Sequence, residues 1–187
     1  MSDPTDPEQH PFPPFVPADA RYLLVGTFPG RQLTQKPAAE RIPDDWYYGT
    51  HKRSLWHLLE QVFDRPLNTI VAQKALLTSL HMGVTDVVAA ARRRKPNGSR
   101  DADLYDREFQ TDTLRGLLEN PQLKKLYFTS KQAQKWFNEA LPDAAAALPQ
   151  LALPSPSPLY IQYGHGTEAD RLHAYRRELL PLLEPLK

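Results

Sequence analysis

Tyr22-Leu23-Leu24-Val25-Gly26-Thr27-Phe28-Pro29-Gly30 is the stretch whose reading decides the fold. An apolar run enters a turn carrying two glycines and a proline, so it reads as a buried strand that stops abruptly. A polar connection follows, then Trp46-Tyr47-Tyr48-Gly49 and a helix-like run, Ser54-Leu55-Trp56-His57-Leu58-Leu59. Strand, tight turn, excursion and helix form the opening unit of an α/β sheet. In open sheets of this kind, ligands bind in the crevice beyond the carboxyl ends of the strands. Gly26 to Gly30 would sit at such an end.

The same alternation recurs downstream. Ser54 is a plausible N-cap for a helix reaching about Phe63. A second helix starts at Asn68 or Thr69, with Ile70, Ala75, Leu76, Leu77 and Leu80 as its apolar stripe. Val84-Thr85-Asp86-Val87-Val88 is short and β-branched and reads as the second strand. Residues 92–106 read as a connection around the turn signal Pro96-Asn97-Gly98-Ser99. Thr111 to Leu118 is a short helix, Lys125 to Phe128 a third strand, and Ser130 the cap of a helix to Ala140. Leu148 to Leu153 is a fourth strand that ends in Pro154-Ser155-Pro156-Ser157-Pro158. A polar, aromatic loop over residues 160–166 precedes a last helix capped by Thr167. Four strands alternating with helices predict a three-layer α/β/α architecture around a mainly parallel four-stranded sheet. Residues 1–9 are acidic and polar and are expected to be mobile. Residues 10–187 are expected to form one domain.

Composition limits the function. The 187 residues are 41% hydrophobic, enough for one sizeable core. No apolar run approaches the length of a membrane helix, and no cysteine is present. Disulfides, thiolate metal sites and a cysteine nucleophile are therefore out, which fits a reducing cytoplasm. The net charge is only +1, so any nucleic-acid contact must come from local clusters such as Arg92-Arg93-Arg94-Lys95. Residues 31–45 have no clean period and read as a long loop at the site end.

The strand ends carry the chemistry. Thr129-Ser130 precedes a helix N-terminus, where backbone N–H groups favour an anion. The stiff Pro-Ser segment places the hydroxyls of Ser155 and Ser157 between prolines, as a wedge against a nucleic-acid backbone would need. The alternative is an ordinary rigid loop. Trp46 and Trp56 read as core. Phe28 and Tyr48 flank the turn glycines and suit either the core or a platform for an extruded base.

In order along the chain, Gly26-Thr27-Phe28-Pro29-Gly30, Tyr47-Tyr48-Gly49 and Ser54-Leu55-Trp56 resemble motifs of the uracil-DNA glycosylase superfamily. The resemblance is closest to its hypoxanthine/uracil branch. Gly83-Val84-Thr85-Asp86-Val87, Leu126-Tyr127-Phe128-Thr129-Ser130 and Leu153-Pro154-Ser155-Pro156-Ser157-Pro158 are similar to its later segments. The resemblance implies DNA as the partner, base flipping into a pocket, and hydrolysis of the N-glycosidic bond without metal or cofactor. It implies a base pocket from Gly26, Thr27, Phe28, Pro29, Tyr48, Gly49 and Thr129. Contacts to DNA would come from Arg53, Ser130, Ser155, Pro156, Ser157 and His165. A monomer is the expected form, with no role for a membrane.

Two positions depart from the family pattern. Arg53 stands where the family has an Asn that helps activate water, and Thr129 stands where it has a base-reading Asn. An Arg is always cationic and cannot act as a base. His51 is then the first candidate for the water-activating group and Asp45 the second, with Asp86 also near. The leading expectation is a monofunctional glycosylase excising uracil or hypoxanthine. The first rival keeps the fold and binds DNA or a nucleotide without cleaving it. The second is a hydrolase of free nucleosides or another small molecule.

Overall fold

The computed structural model describes residues 6–35, 40, 45–49, 55–95, 100–144 and 146–183. The elements begin with strands β1 (Glu8–Gln9) and β2 (Tyr22–Gly26), followed by helices α1 (Arg31–Thr34), α2 (Leu55–Phe63) and α3 (Ile70–Ser79). Strands β3 (Met82–Asp86), β4 (Val88–Arg93) and β5 (Leu104–Phe109) come next, then α4 (Thr111–Leu118). The chain continues through β6 (Lys125–Phe128), α5 (Lys131–Ala140), β7 (Gln150–Ala152), α6 (Pro158–Gln162) and α7 (Glu168–Leu179).

The main sheet has the order β3-β2-β6-β7, and each pairing is parallel. Alternation along the strands feeds two cores. Leu24, Val84 and Tyr127 face α2, α3 and α7, against Leu58, Leu59, Leu76, Leu77 and Tyr175. Leu23, Val25, Leu126 and Phe128 face the other way, against Leu114 of α4 and Ala133, Trp136 and Phe137 of α5. A strand buried on both faces reads as a continuous apolar run, which is why Tyr22 to Val25 was so legible. The helix ends follow their caps. Thr69 accepts from the Ala72 N–H, Ser130 from the Ala133 N–H, and Thr167 forms a capping box with Asp170.

The sequence reading differs from the structure in the middle of the chain. The strand expected at Val84 to Val88 is two strands from different sheets, because the chain turns at Val87 and leaves the parallel sheet. β4 and β5 pair antiparallel as a hairpin, so Arg92, Arg93 and residues 104–106, expected to be connection, are strand. Glu8 and Gln9, expected to be mobile, add a third strand to it by pairing with Ala91 and Ala90. Residues 160–162, expected to be loop, belong to α6 (Pro158–Gln162), capped by the Ser157 hydroxyl.

The hairpin also undoes the expected basic cluster. Strand alternation sends consecutive arginines to different surroundings. Arg92 lies 3.6 Å from Asp106, Arg94 lies over the Tyr105 ring, and Arg93 turns inward. Arg93 Nε donates to Glu8 Oε2 at 2.8 Å, with both side chains under 10% exposed. Its Nη2 donates to the Pro29 carbonyl at 2.8 Å, and its guanidinium lies over the Phe28 ring. The N-terminal strap is thereby tied to the turn after β2. Removing one partner of a buried ion pair leaves an uncompensated charge. Glu8→Leu should lower unfolding free energy by about 3 kcal/mol, read as a lower urea midpoint at unchanged slope. An unchanged midpoint would show that the strap carries no stability.

Candidate active site

The strand order contains one reversal. From β2 the chain moves outward to β3, then returns to place β6 on the other side of β2. The carboxyl ends of β2 and β6 flank that switch point, where open α/β sheets hold their ligands. A cleft of about 600 Å³ opens there. Thr27 and Phe28 enter it from β2, Thr129 and Ser130 from β6, and Ser155, Pro156 and Ser157 from the segment after β7. His165 and Tyr48 also line it. The Thr129 N–H donates to the Val25 carbonyl at 3.0 Å, so the two strand ends stay in register up to the cleft.

Tyr48 reaches the cleft floor through an unusual backbone. Its φ is +63° and that of Gly49 is also +63°, a left-handed pair. A non-glycine residue there costs about 1–2 kcal/mol, and such strain clusters at functional sites. The Tyr48 hydroxyl donates to Thr129 Oγ1 at 3.3 Å. Burial, reinforced by the charge of Asp86, pushes its pKa well above the usual phenol value, so it stays a neutral donor. Because Tyr48 donates, the Thr129 hydroxyl hydrogen is left to point elsewhere.

Gly26 lies beneath the cleft. A β-carbon there would stand 2.1 Å from Asp86 Oδ1 and 2.4 Å from the Tyr48 hydroxyl oxygen. Asp86 is held from behind by His10, whose Nε2 is 3.0 Å from Oδ2, both side chains almost fully buried. The Phe28 ring is fixed edge-on by the His10 ring at 6.0 Å and by Arg93.

The Pro-Ser segment is anchored from inside. Arg171, 7% exposed, donates through Nη1 to the carbonyls of Ser155, Pro156 and Ser157 at 3.4, 3.2 and 3.3 Å. The Tyr175 hydroxyl donates to the Pro154 carbonyl at 3.1 Å. The carbonyls thus turn toward a buried cation. Ser155 and Ser157 line the cleft on a segment that a positive charge underlies.

Asp101 is the group that the sequence reading missed. It begins a single 3₁₀ turn, Asp101–Asp103, between β4 and β5, and it lines the cleft beside Arg100. The Thr27 hydroxyl donates to Asp101 Oδ1 at 2.9 Å. Burial raises its carboxyl pKa to about 6, helped by the charge of Asp86 and opposed by Thr27 and Arg93. The available signal was two β-like runs around Pro96-Asn97-Gly98-Ser99, a hairpin signature. Gln132 and Tyr163 were also missed.

The remaining expected residues divide. Asp45 is half-buried and does not line the cleft. Pro29 contributes its carbonyl to Arg93, and Gly49 closes the Tyr48 turn through its N–H to the Trp46 carbonyl at 2.9 Å. His51 and Arg53 lie outside the described residues. Trp46 and Trp56 are core, with rings stacked at 5.5 Å. Among the described residues no group of acidic or histidine side chains has the arrangement of a metal site, and no helix is long and apolar enough to cross a membrane.

Comparison with curated protein sequences finds no match. A solved structure that is similar is the solution NMR structure of a candidate uracil DNA glycosylase from Methanosarcina acetivorans. It is 20% identical, covering 89% of this chain and 95% of that one, with a TM-score of 0.59. At that identity the likeness shows the fold. The family model for the uracil DNA glycosylase superfamily matches residues 13–181, a span holding all four strands of the parallel sheet and every described residue that lines the cleft. The chain belongs to the uracil DNA glycosylase superfamily.

Proposed function

We propose that this protein is a DNA glycosylase that draws a deaminated base into the cleft and hydrolyses its N-glycosidic bond. The observation that carries the reading is the meeting of Phe28, Tyr48, Thr129 and the Pro-Ser segment around one cleft. A flat ring, a polar floor and a stiff hydroxyl-bearing edge are what an extruded nucleotide requires. Family membership supports the same class of reaction.

Thr129 sets the base preference. Its hydroxyl accepts from Tyr48 and so keeps its own hydrogen for the cleft. A donor at that place matches a keto oxygen, which uracil and hypoxanthine carry and cytosine and adenine replace with an amino group. Ser155, Ser157 and Arg53 hold flanking phosphates, and no metal or cofactor takes part.

The test is to incubate the protein with duplexes carrying uracil, hypoxanthine, xanthine or an alkylated base, and to score abasic sites and binding of intact strands. Abasic product from uracil or hypoxanthine is the expected result. Binding without product favours a second reading, a family member that holds DNA but does not cleave it, which Arg53 at the family's Asn position motivates. The absence of both binding and product would overturn the DNA-directed reading.

A further inference from the structure

We propose that Asp101 is the catalytic carboxylate, accepting the proton of the water that attacks C1′ of the flipped nucleotide, with Thr27 as its positioning residue. The assignment rests on the glycosylase reading above. Three features of the geometry carry it. Asp101 is the carboxylate on the cleft wall among the described residues. Its Oδ1 is fixed by Thr27, the residue before Phe28, so the carboxylate stands next to the ring that would hold the base. Its Oδ2 has no protein partner among the described residues and is left for water.

The other acids nearby are otherwise engaged. Asp86 is paired to His10 through Oδ2, its Oδ1 stands where a β-carbon on Gly26 would point, and it does not line the cleft. Asp103 is buried and lies 3.7 Å from Arg100 Nε. A carboxylate whose proton affinity is raised toward neutrality is both ionised at working pH and an effective acceptor. Its charge also favours the cationic sugar that forms as the bond breaks.

The step balances without a co-reactant. The water oxygen bonds to C1′ as the C1′–N bond breaks, and the bonding pair leaves with the base. Asp101 takes the proton from water, and solvent protonates the base. The products are a free base and a 1′-hydroxyl abasic sugar.

Single-turnover release of base from a uracil or hypoxanthine duplex, followed across pH, tests the assignment. The wild-type rate should rise with pH through about 6 and then level, as Asp101 ionises. Asp101→Asn should lower the plateau by about 10²–10⁴-fold and abolish the limb, with affinity for the intact strand kept. Thr27→Val removes a hydrogen bond that stabilises the ionised form, so its limb should move to higher pH, a shift read independently of any change in the plateau. Among the described residues, the other ionisable groups around Asp101 are Asp86, Arg93, Arg100 and Asp103, with His10 behind Asp86 and His165 on the cleft wall. A limb owed to either histidine would persist in the residual reaction of Asp101→Asn. Asp101→Asn also removes a buried charge, so it should melt no lower than wild type at alkaline pH. If it fails to fold, the shifted limb of Thr27→Val still decides. An active wild type with an equally active Asp101→Asn, or with a Thr27→Val limb that does not move, overturns the assignment alone. A wild type that releases no base overturns the glycosylase reading and the assignment together.

Discussion

Gly26→Ala should destabilise the fold by about 3–5 kcal/mol, although it adds only one methyl group. Gly26 is the last residue of β2, and the positions on either side of it are filled. The new β-carbon would stand 2.1 Å from Asp86 Oδ1 and 2.4 Å from the Tyr48 hydroxyl. Neither group can step aside freely. Asp86 is paired with His10 at 3.0 Å in a site where both side chains are nearly excluded from water. Tyr48 is fixed by its left-handed backbone and by Thr129. Overpacking alone costs about 1–3 kcal/mol, and separating Asp86 from His10 adds the penalty of an unpaired buried charge. Urea unfolding reads the total. A loss under about 1 kcal/mol would mean that the layer beneath the cleft is soft. On the proposed function, base release should fall further than stability predicts, because the Tyr48–Thr129 contact is part of the cleft floor.

The second large effect belongs to Arg171→Met, which keeps most of the stem but removes the donor to three backbone carbonyls. The Ser157 carbonyl keeps the Tyr160 N–H at 3.1 Å, while each of the other two, left without the guanidinium, costs about 1–3 kcal/mol, partly offset if water enters. The expected loss is about 3 kcal/mol, with the Pro-Ser segment as the part that loosens. The Tyr175 bond to the Pro154 carbonyl remains, so the segment should shift rather than detach. Arg171→Lys should recover only part, since its single nitrogen can turn to the carbonyls but cannot also keep the second contact, Nη2 to Glu168 Oε1 at 3.3 Å. Hydrogen exchange at Ser155 and Ser157 separates local from global loss. If exchange there is unchanged in Arg171→Met, the guanidinium is not the anchor.

What the sequence disclosed, and what it hid, follows from the range of the interactions. Tyr22 to Val25, Lys125 to Phe128 and the caps at Thr69, Ser130 and Thr167 are local signals, and each element formed where expected. Thr27, Phe28, Tyr48, Thr129, Ser155 and Ser157 were legible because they follow strand ends or flank turn glycines, and the parallel sheet brings strand ends to one edge. The antiparallel sheet was not legible. Its partners Glu8 and Ala91 are far apart in the chain, and Glu8 looks like any acid in a polar tail until Arg93 is seen beside it. Asp101 was hidden for the same reason. Nothing in Arg100-Asp101-Ala102-Asp103 marks one acid over the other. Only the folding of the hairpin against Thr27 makes that distinction, leaving Asp103 with Arg100 and Asp101 on the cleft wall.

The central claim, that the cleft at the β2–β6 switch point receives a nucleobase taken out of the duplex, is tested most directly by a crystal structure. The complex would pair Asp101→Asn with a duplex carrying a single 2′-fluorodeoxyuridine, which resists cleavage. The account predicts the uracil ring against Phe28, its keto oxygen on the Thr129 hydroxyl, and the flanking phosphates at Ser155 and Ser157. A uracil still stacked in the helix, or a duplex bound on another face with the cleft empty, would contradict it.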